Sequence, residues 1–200
     1  MSFPAYLVTG PRVGLSHYRP ADGPEFTARA RESRDLHAPW LFPPTTPEEY
    51  EPYAARLAGG EGRAGFLVRE RATGALAGFV NINNINNIVL GAFRCGALGY
   101  GAFAHAAGRG LLGEALDLVL AHAFAPPEDG GLGLHRLEAN IQPGNAASLA
   151  LVRGRGFRLE GFSPDFLHVA GAWRDHERWA VTADMCATPR PAGPATGSFA

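Results

Sequence analysis

The stretch His105-Ala-Ala-Gly108-Arg-Gly110-Leu-Leu-Gly113 carries the strongest structural signal in this chain of 200 residues. It lies between an apolar segment that predicts a strand, residues 98–104, and the longest amphipathic segment, which predicts a helix over residues 109–124. Glycines permit a tight turn that exposes successive backbone N–H groups, and the helix start adds the positive end of its dipole. The stretch therefore predicts a phosphate-binding loop, with an ordinary strand-to-helix turn as the alternative.

The three glycines also match the dinucleotide-binding pattern Gly-x-Gly-x-x-Gly. In that fold the loop follows the first strand, and an acidic residue ends the next strand about 20 residues further on. Here four predicted strands precede the loop, and Glu138 lies inside the strand predicted over residues 135–141. These departures weaken the prediction of a dinucleotide-dependent reductase, which stays as an alternative.

Periodicity and turn residues predict the other elements of a mixed α/β (α+β) domain. Further strands are predicted over residues 13–19, 63–69, 76–83, 157–162 and 166–181, the last with a hairpin turn at Ala170-Gly171. Further helices are predicted over residues 22–33, capped by Asp22, and 47–57, ended by Gly59 and Gly60. Another helix is capped by Asn145 and ended by Gly154 and Gly156. Residues 1–186 form one predicted domain, and residues 187–200 read as a disordered tail.

The amino-acid composition excludes several classes of function and disfavours others. The formal net charge is −1, so no overall basic field predicts nucleic acid or a membrane surface as partner. All cationic residues are Arg, and the absence of Lys excludes a Walker loop and a Schiff-base lysine. Cys95 and Cys186 form no metal-binding pattern, so no metal site is predicted. No leader or spanning segment is recognised, and we expect a cytoplasmic, bacterial protein.

The segment Asn81-Ile-Asn-Asn84-Ile-Asn-Asn87 contains Asn-Ile-Asn twice in tandem. Asn is disfavoured inside strands, so the repeat predicts a bulge or loop that absorbs three duplicated residues. A second interpretation is that its amides, Asn83 among them, line a substrate site.

Several motifs in order resemble the GNAT N-acetyltransferases, and within them the Rim-type group that acetylates the N-termini of ribosomal proteins. The family loop, Gln/Arg-x-x-Gly-x-Gly/Ala, is matched by His105-Ala-Ala-Gly108-Arg-Gly110, with a departure at His105. The remaining likeness is carried by four further stretches: Ala38-Pro-Trp40, Ile88 to Phe93 with Leu98-Gly-Tyr100, Asn145-Ala-Ala-Ser148 with Gly156-Phe157 and Glu160-Gly161, and Asp165 to His176.

The resemblance implies a GNAT fold, with a mixed central sheet of about seven strands, two splayed parallel strands in its middle and about four flanking helices. It implies acetyl-CoA as co-substrate and a primary amine as acceptor, most simply the N-terminal α-amine of a protein or peptide. Small amines such as an antibiotic or a metabolite stay open as acceptors, as does a non-catalytic acyl-CoA-binding module. The expected assembly is a monomer or a homodimer.

The resemblance also assigns site residues. The expected cofactor-binding residues are Phe103, Ala104, His105, Gly108, Arg109, Gly110, Leu111, Asn145 and Ser148, the first two through their backbone on the splayed strand. Ser148 is expected to donate a proton to the leaving thiolate, although Asn145 and Ser148 also fit a plain helix cap. Trp40 is expected to wall the acceptor site, with hydrophobic core as its alternative role.

The general base is left open by the sequence. Related enzymes place Glu where this chain has Leu167, which cannot accept a proton. Asp165 and His168 are the nearby candidates, a water chain is a third, and strand geometry turns the two side chains to opposite faces. Asp175 and His176 are expected to brace the terminal hairpin.

Overall fold

The computed structural model describes residues 5–58, 62–86 and 92–187. Within these ranges eight strands form one sheet: β1 (Val8–Thr9), β2 (Val13–Ser16), β3 (Ala64–Glu70), β4 (Leu76–Asn86), β5 (Cys95–Ala102), β6 (Arg136–Ile141), β7 (Arg158–Val169) and β8 (Ala172–Thr182). The α-helices of the same ranges are α1 (Gly23–Glu32), α2 (Arg34–His37), α3 (Pro47–Leu57), α4 (Leu111–Phe124), α5 (Ala146–Arg153) and α6 (Ala183–Ala187).

The sheet order is β1-β2-β3-β4-β5-β6-β8-β7, and β5–β6 is its parallel pair. That pairing covers three positions and stops at Ala97 opposite Glu138. Beyond this point β5 continues to Ala102 and β6 to Ile141 without pairing to each other. The two middle strands therefore splay apart, and the predicted mixed sheet with splayed parallel strands is confirmed.

The core lies on both faces of the sheet because successive strand residues point to opposite sides. Phe66 belongs to the cluster that packs under α4, whereas its neighbour Leu67 belongs to the cluster under α1 and α3. The second cluster is rich in aromatic rings, with Phe26 at 5.1–6.1 Å, between ring centroids, from five of them. Both layers fix the sheet from which the site is built.

Most predicted elements are confirmed, with shifts at their ends. Helix α3 occupies the predicted residues, and Thr46 and Glu49 form a reciprocal capping box at its start. The hairpin turn at Ala170-Gly171 is confirmed, with both residues at positive φ. Strand β5 starts and ends earlier than the predicted 98–104, and this shift changes the site as described below.

The Asn repeat contains a bulge, as predicted. The β4–β5 register shifts between Asn83 and Asn86, and Asn84 has a φ of 52°. The extra residues are absorbed there without disturbing Asn81, whose amide is buried between the hydroxyls of Tyr18 and Tyr53.

Three expectations lie wholly or partly outside the described residues. These are the helix stop at Gly59 and Gly60, the motif that begins at Ile88, and the disordered tail after Ala187, the last residue of α6. In the part of the chain that the structure describes, every helix is too short or too polar to cross a membrane.

Asp22 occupies the N-cap position of α1, but the predicted side-chain cap is wrong. Its carboxylate instead pairs with Arg69 of β3, Oδ1 to Nη2 at 2.7 Å, and both side chains are 5% exposed. Arg19 contacts the same oxygen at 2.9 Å. A buried carboxylate pairs with a guanidinium in preference to a backbone N–H, because the ion pair offsets more of the free-energy cost of desolvating the charge. The pair ties α1 to the sheet.

Replacing Arg69 by Leu leaves the buried Asp22 carboxylate short of its main partner. We expect the free energy of unfolding to fall by about 3–5 kcal/mol. The matched control is Arg29→Leu, which removes an exposed pair with Glu32 inside α1 and is expected to cost less than about 0.5 kcal/mol. Urea unfolding of both variants checks this, and equal losses would contradict the role of the buried pair.

Candidate active site

The glycine loop, residues 105–110, lies between β5 and α4. Two of its residues adopt the left-handed conformation. Gly108 has a φ of 73° and Gly110 a φ of 76°, and Gly110 is the N-cap of α4. A Cβ on Gly108 would meet no atom within 4 Å, so the backbone there faces open space. The first N–H groups of an α-helix have no partner inside the helix. The loop thus offers the N–H groups and dipole end of α4 to an anion, as its sequence predicts.

Arg12 holds the outer side of this loop. Its guanidinium donates to the carbonyl oxygens of Arg109 and Gly110 at 2.9 and 3.3 Å, and its Nε donates to Glu114 of α4 at 2.9 Å. Glu114 also accepts from the backbone N–H groups of Arg12 and Val13. Because the carbonyls are held on the outside, the N–H side of the loop is left for the cleft.

A cavity of about 480 Å³ runs from this loop to the start of α5. Of the residues predicted from the sequence, Trp40, Gly108, Gly110, Asn145 and Ser148 line it. The predicted cofactor-binding residues that do not line it are Phe103, Ala104, His105, Arg109 and Leu111. The cavity also has lining residues that sequence reasoning missed, chiefly His37, Tyr100 and Ala102.

The predicted backbone contacts of Phe103 and Ala104 are corrected by the structure. The N–H of Phe103 donates to the carbonyl of Ala77 at 2.9 Å, and the N–H of Ala104 donates to Ser33 Oγ at 2.8 Å. Since strand N–H groups alternate between the two neighbours, the pairing of Phe103 with β4 turns those of Tyr100 and Ala102 toward the splay. These are the donors that face the cleft.

The side chains of three other predicted residues make contacts outside this cavity. Arg109 pairs with the carboxylate of Glu70, and this contact lowers the pKa of Glu70. Leu111 is buried in the core under α4, so only its backbone belongs to the loop. His105 is exposed, and desolvation and then the charge of Arg29 lower its pKa. None of these side chains is aimed into the 480 Å³ cavity.

His37 connects α2 to the splayed strand. Its Nε2 lies 2.8 Å from the carbonyl oxygen of Ala102, and its Nδ1 is buried without a partner among the described residues. Burial lowers the pKa of His37, so the ring is neutral at neutral pH and donates through Nε2. The histidine therefore holds the Ala102 carbonyl, which points to the same side of β5 as the free N–H of that residue.

Asn145 and Ser148 combine the two roles that the sequence left open. Asn145 is the N-cap of α5, and its Oδ1 accepts from the N–H of Ser148 at 3.1 Å. The Ser148 hydroxyl is not used in this cap and lies 2.6 Å from the Tyr100 hydroxyl. Burial raises the pKa of Tyr100 to about 12, so its hydroxyl stays protonated at neutral pH. With Tyr100 as donor, the hydrogen of Ser148 is free for a second acceptor.

Two further cavities meet the first one at Tyr100. One, of about 130 Å³, lies between the splayed strands and is bounded by Trp40 and by polar residues of β6, α5 and β8. The other, of about 290 Å³, lies against β4 and is lined by Asn81 and Asn83, so two residues of the repeat face a cavity. Tyr100 thus stands where three spaces converge.

The predicted bases Asp165 and His168 are not brought to this junction. Both lie on the exposed part of the β7–β8 hairpin, where Asp165 N donates to Asp175 and the His168 ring packs against Trp173. Leu167 is exposed on the same strand. A bulge between Ser163 and Leu167 turns this segment, a feature without a clear signal in the sequence. His176 of β8, in contrast, is buried and lines the 130 Å³ cavity.

The arrangement fits a long thioester co-substrate with a phosphate-rich end. The N–H groups of the glycine loop lie at one end of the cleft, the free strand N–H groups of Tyr100 and Ala102 follow, and the paired hydroxyls of Tyr100 and Ser148 close it. Phosphates suit helix starts, and a thioester carbonyl suits an aligned N–H donor.

Comparison with known proteins agrees with this geometry. The family described as "Acetyltransferase (GNAT) domain" matches residues 12–158. The [ribosomal protein uS5]-alanine N-acetyltransferase of Escherichia coli is 34% identical over 103 residues, which are 52% of this chain and 50% of that protein. The chain thus spans about half the length of the curated relatives it matches.

Two solved structures show the same fold. Mycobacterium smegmatis RimJ, in complex with CoA-disulfide, superposes with a TM-score of 0.76 at 28% identity, covering 86% of this chain and 82% of that one. Spermidine N-acetyltransferase from Vibrio cholerae, with CoA and spermine, gives a TM-score of 0.73 at 18% identity over 90% and 100% of the two chains, a likeness of fold alone. With the splayed sheet, the glycine loop and the family match over residues 12–158, the chain belongs to the GNAT acetyltransferase family.

Proposed function

We propose that this protein transfers an acetyl group from acetyl-CoA to a primary amine, with the N-terminal α-amine of a protein or peptide as the preferred acceptor. The observation that carries the proposal is the junction at Tyr100. There the free N–H of Ala102, the Ser148–Tyr100 hydroxyl pair and the 290 Å³ cavity adjoin one another. An enzyme for this reaction must hold the carbonyl oxygen, receive the amine and protonate the thiolate, and the junction offers a group for each task.

Two sets of backbone groups would bind acetyl-CoA. The loop N–H groups after Gly108 and Gly110 would hold the pyrophosphate, and the N–H of Ala102 would hold the thioester oxygen. Bound in this way, acetyl-CoA supplies the activated acetyl group. Ser148 then lies where it can protonate the departing sulfur, while Tyr100 keeps the serine hydroxyl oriented.

The walls of the acceptor side favour a peptide over a polyamine. Among the described residues that line the 290 Å³ cavity there is no carboxylate, whereas Arg56 and Arg63 are present. Through Leu41, Phe42 and Tyr53 this cavity continues into an apolar groove of about 850 Å³. Its Glu49 is engaged in the α3 capping box, and Arg34 and Arg56 lie in its wall. A polycation would meet cationic walls here, while an extended peptide finds apolar surface and guanidinium groups.

The acceptor preference is tested with two probes: a hexapeptide with N-terminal Ala and acidic residues after it, and spermidine. We expect the peptide to exceed spermidine in kcat/KM by at least about tenfold, or about 1.4 kcal/mol. Mass spectrometry of the acetylated product is the measurement, because Cys95 and Cys186 complicate thiol-release assays. Preference for spermidine would favour the small-amine alternative, and no acetylation with bound CoA would favour a non-catalytic module.

The glycine loop is tested by Gly110→Val. The substitution forces a β-branched residue into the left-handed region, and its Cβ would lie 3.4 Å from Arg12 Nη2, which holds the loop carbonyls. We expect the Kd for CoA to rise by at least about tenfold, measured by calorimetry. The control is Gly130→Val, which has the same backbone strain at a φ of 79° in a turn away from the cleft. Equal CoA affinity in both variants would remove the loop from the binding site.

The hydroxyl pair is tested by Ser148→Ala and Tyr100→Phe. The α5 cap uses the backbone N–H of Ser148 and not its hydroxyl. Removing the hydroxyl should therefore lower the free energy of unfolding by only about 1 kcal/mol. We expect kcat to fall more than about tenfold in Ser148→Ala and by less in Tyr100→Phe, with the Kd for CoA within twofold of wild type. A kcat of Ser148→Ala within twofold of wild type would show that the hydroxyl has no part in proton transfer.

A further inference from the structure

The cavity between the splayed strands is lined mainly by polar groups. Its volume of about 130 Å³ is bounded on the polar side by Tyr100, Asn140, Gln142, Asn145, Ser148 and His176. At about 30 Å³ per molecule of liquid water, such a space takes a few waters. It opens onto the same Tyr100–Ser148 pair that ends the co-substrate cleft.

Asn140 shows that this space needs a polar occupant. Its Oδ1 is buried and has no hydrogen-bond partner among the described residues. An unpaired buried carbonyl oxygen costs about 1–3 kcal/mol, so a site that keeps one in a polar cavity is suited to bind water there.

His176 is fixed in the tautomer that a base requires. Its ring is 3% exposed, and Nδ1 lies 2.8 Å from the backbone carbonyl oxygen of Arg174. A carbonyl only accepts, so Nδ1 carries the hydrogen and Nε2 of the neutral ring carries a lone pair. The described residues give Nε2 no protein partner. The ring of Phe166 packs against it at 6.0 Å and holds its orientation.

We propose that His176 is the general base of the transfer, receiving the proton of the acceptor ammonium through water in the 130 Å³ cavity. This inference rests on the proposed function. The acceptor R–NH₃⁺ gives one proton, by way of water, to Nε2, and its nitrogen lone pair then bonds to the acetyl carbon. The carbon–sulfur bond breaks, the second amine proton reaches the sulfur through Ser148, and His176 returns its proton to solvent. The sum is an acetamide, a free thiol and one released proton.

The surroundings of His176 hold few other titratable or charged groups. Besides His176, the titratable residue that lines the 130 Å³ cavity is Tyr100. Burial raises the pKa of Tyr100 to about 12. The elements packed around the ring present Ser163 and Phe166 from β7 and Asn145 from α5, none of which titrates. On its own strand Asp175 accepts from Asp165 N, and Glu177 accepts from Trp179 Nε1. Arg174 and Arg178 of the same strand are exposed.

The test is the pH profile of His176→Asn, whose amide can still donate to the Arg174 carbonyl but offers no titrating nitrogen. With the N-terminal Ala hexapeptide, we expect kcat/KM at pH 7 to fall by on the order of 10²-fold. The acidic limb of the wild-type profile should move up in pH and follow deprotonation of the acceptor α-amine. At pH 9.5 the deficit should shrink to a few-fold, because an α-amine with a pKa of about 7.7–8.0 is then already free. The Kd for CoA should stay within twofold.

The control is His135→Asn, an exposed histidine near the start of β6, which should keep the wild-type profile. His176→Gln is the second variant if the first one misfolds, with the same readout. A deficit that is equal at every pH, or the same upward move of the acidic limb in His168→Asn instead, would overturn the proposal.

Failure of the proposed function is a separate result. A wild type that acetylates neither the hexapeptide nor spermidine contradicts that function. In that case ¹⁵N NMR of the imidazoles decides the tautomer at neutral pH. An unprotonated Nε2 on His176 supports the inference, and a protonated one overturns it.

Discussion

The site depends on hydrogen bonds that two adjacent strands do not make. Parallel strands normally pair along their whole overlap, and buried backbone groups without partners are costly. Here β5 and β6 part after Ala97 and Glu138, which leaves N–H and C=O groups of Tyr100, Ala102 and Asn140 facing a gap. The antiparallel partners on both outer sides, β4 and β8, keep these strands in place although their inner sides are unpaired. The backbone itself thus becomes the recognition surface.

Side chains from distant parts of the chain hold that gap in shape. His37 fixes the Ala102 carbonyl, Ser33 takes up the Ala104 N–H, and Arg12 holds the loop carbonyls at the start of α4. Each of them occupies a polar group that would otherwise compete for the cleft. What is left unpaired inside is a short row of donors aimed in one direction, together with the two hydroxyls at the junction.

The sequence predicted the general plan because its strongest signals are local. Glycines between a strand and an amphipathic helix, and Asn145 before a helix, depend on neighbouring residues alone. The contacts that decide the chemistry depend on register. Strand β5 ends at Ala102, two residues before the predicted end, and the N–H groups of Phe103 and Ala104 are bonded within the protein, which leaves those of Tyr100 and Ala102 to face the cleft.

The location of the general base also depends on strand pairing, between residues that are further apart in the sequence. Sequence position put Asp165 and His168 beside the family's acidic position, but a bulge turned that part of β7 outward. The partner strand brought His176 inward instead. Asp22 likewise reads as a cap in sequence, and only the fold shows Arg69 beside it. Pairing across a sheet cannot be read from one strand.

The meeting of three spaces at Tyr100 has a consequence for ligand design. Under the proposed function, the acetyl group and the acceptor amine would both reach this junction. A single molecule that joins CoA covalently to a peptide amine would then fill both arms at once. Because the second arm binds within the same molecule, its affinity would exceed that of either half alone.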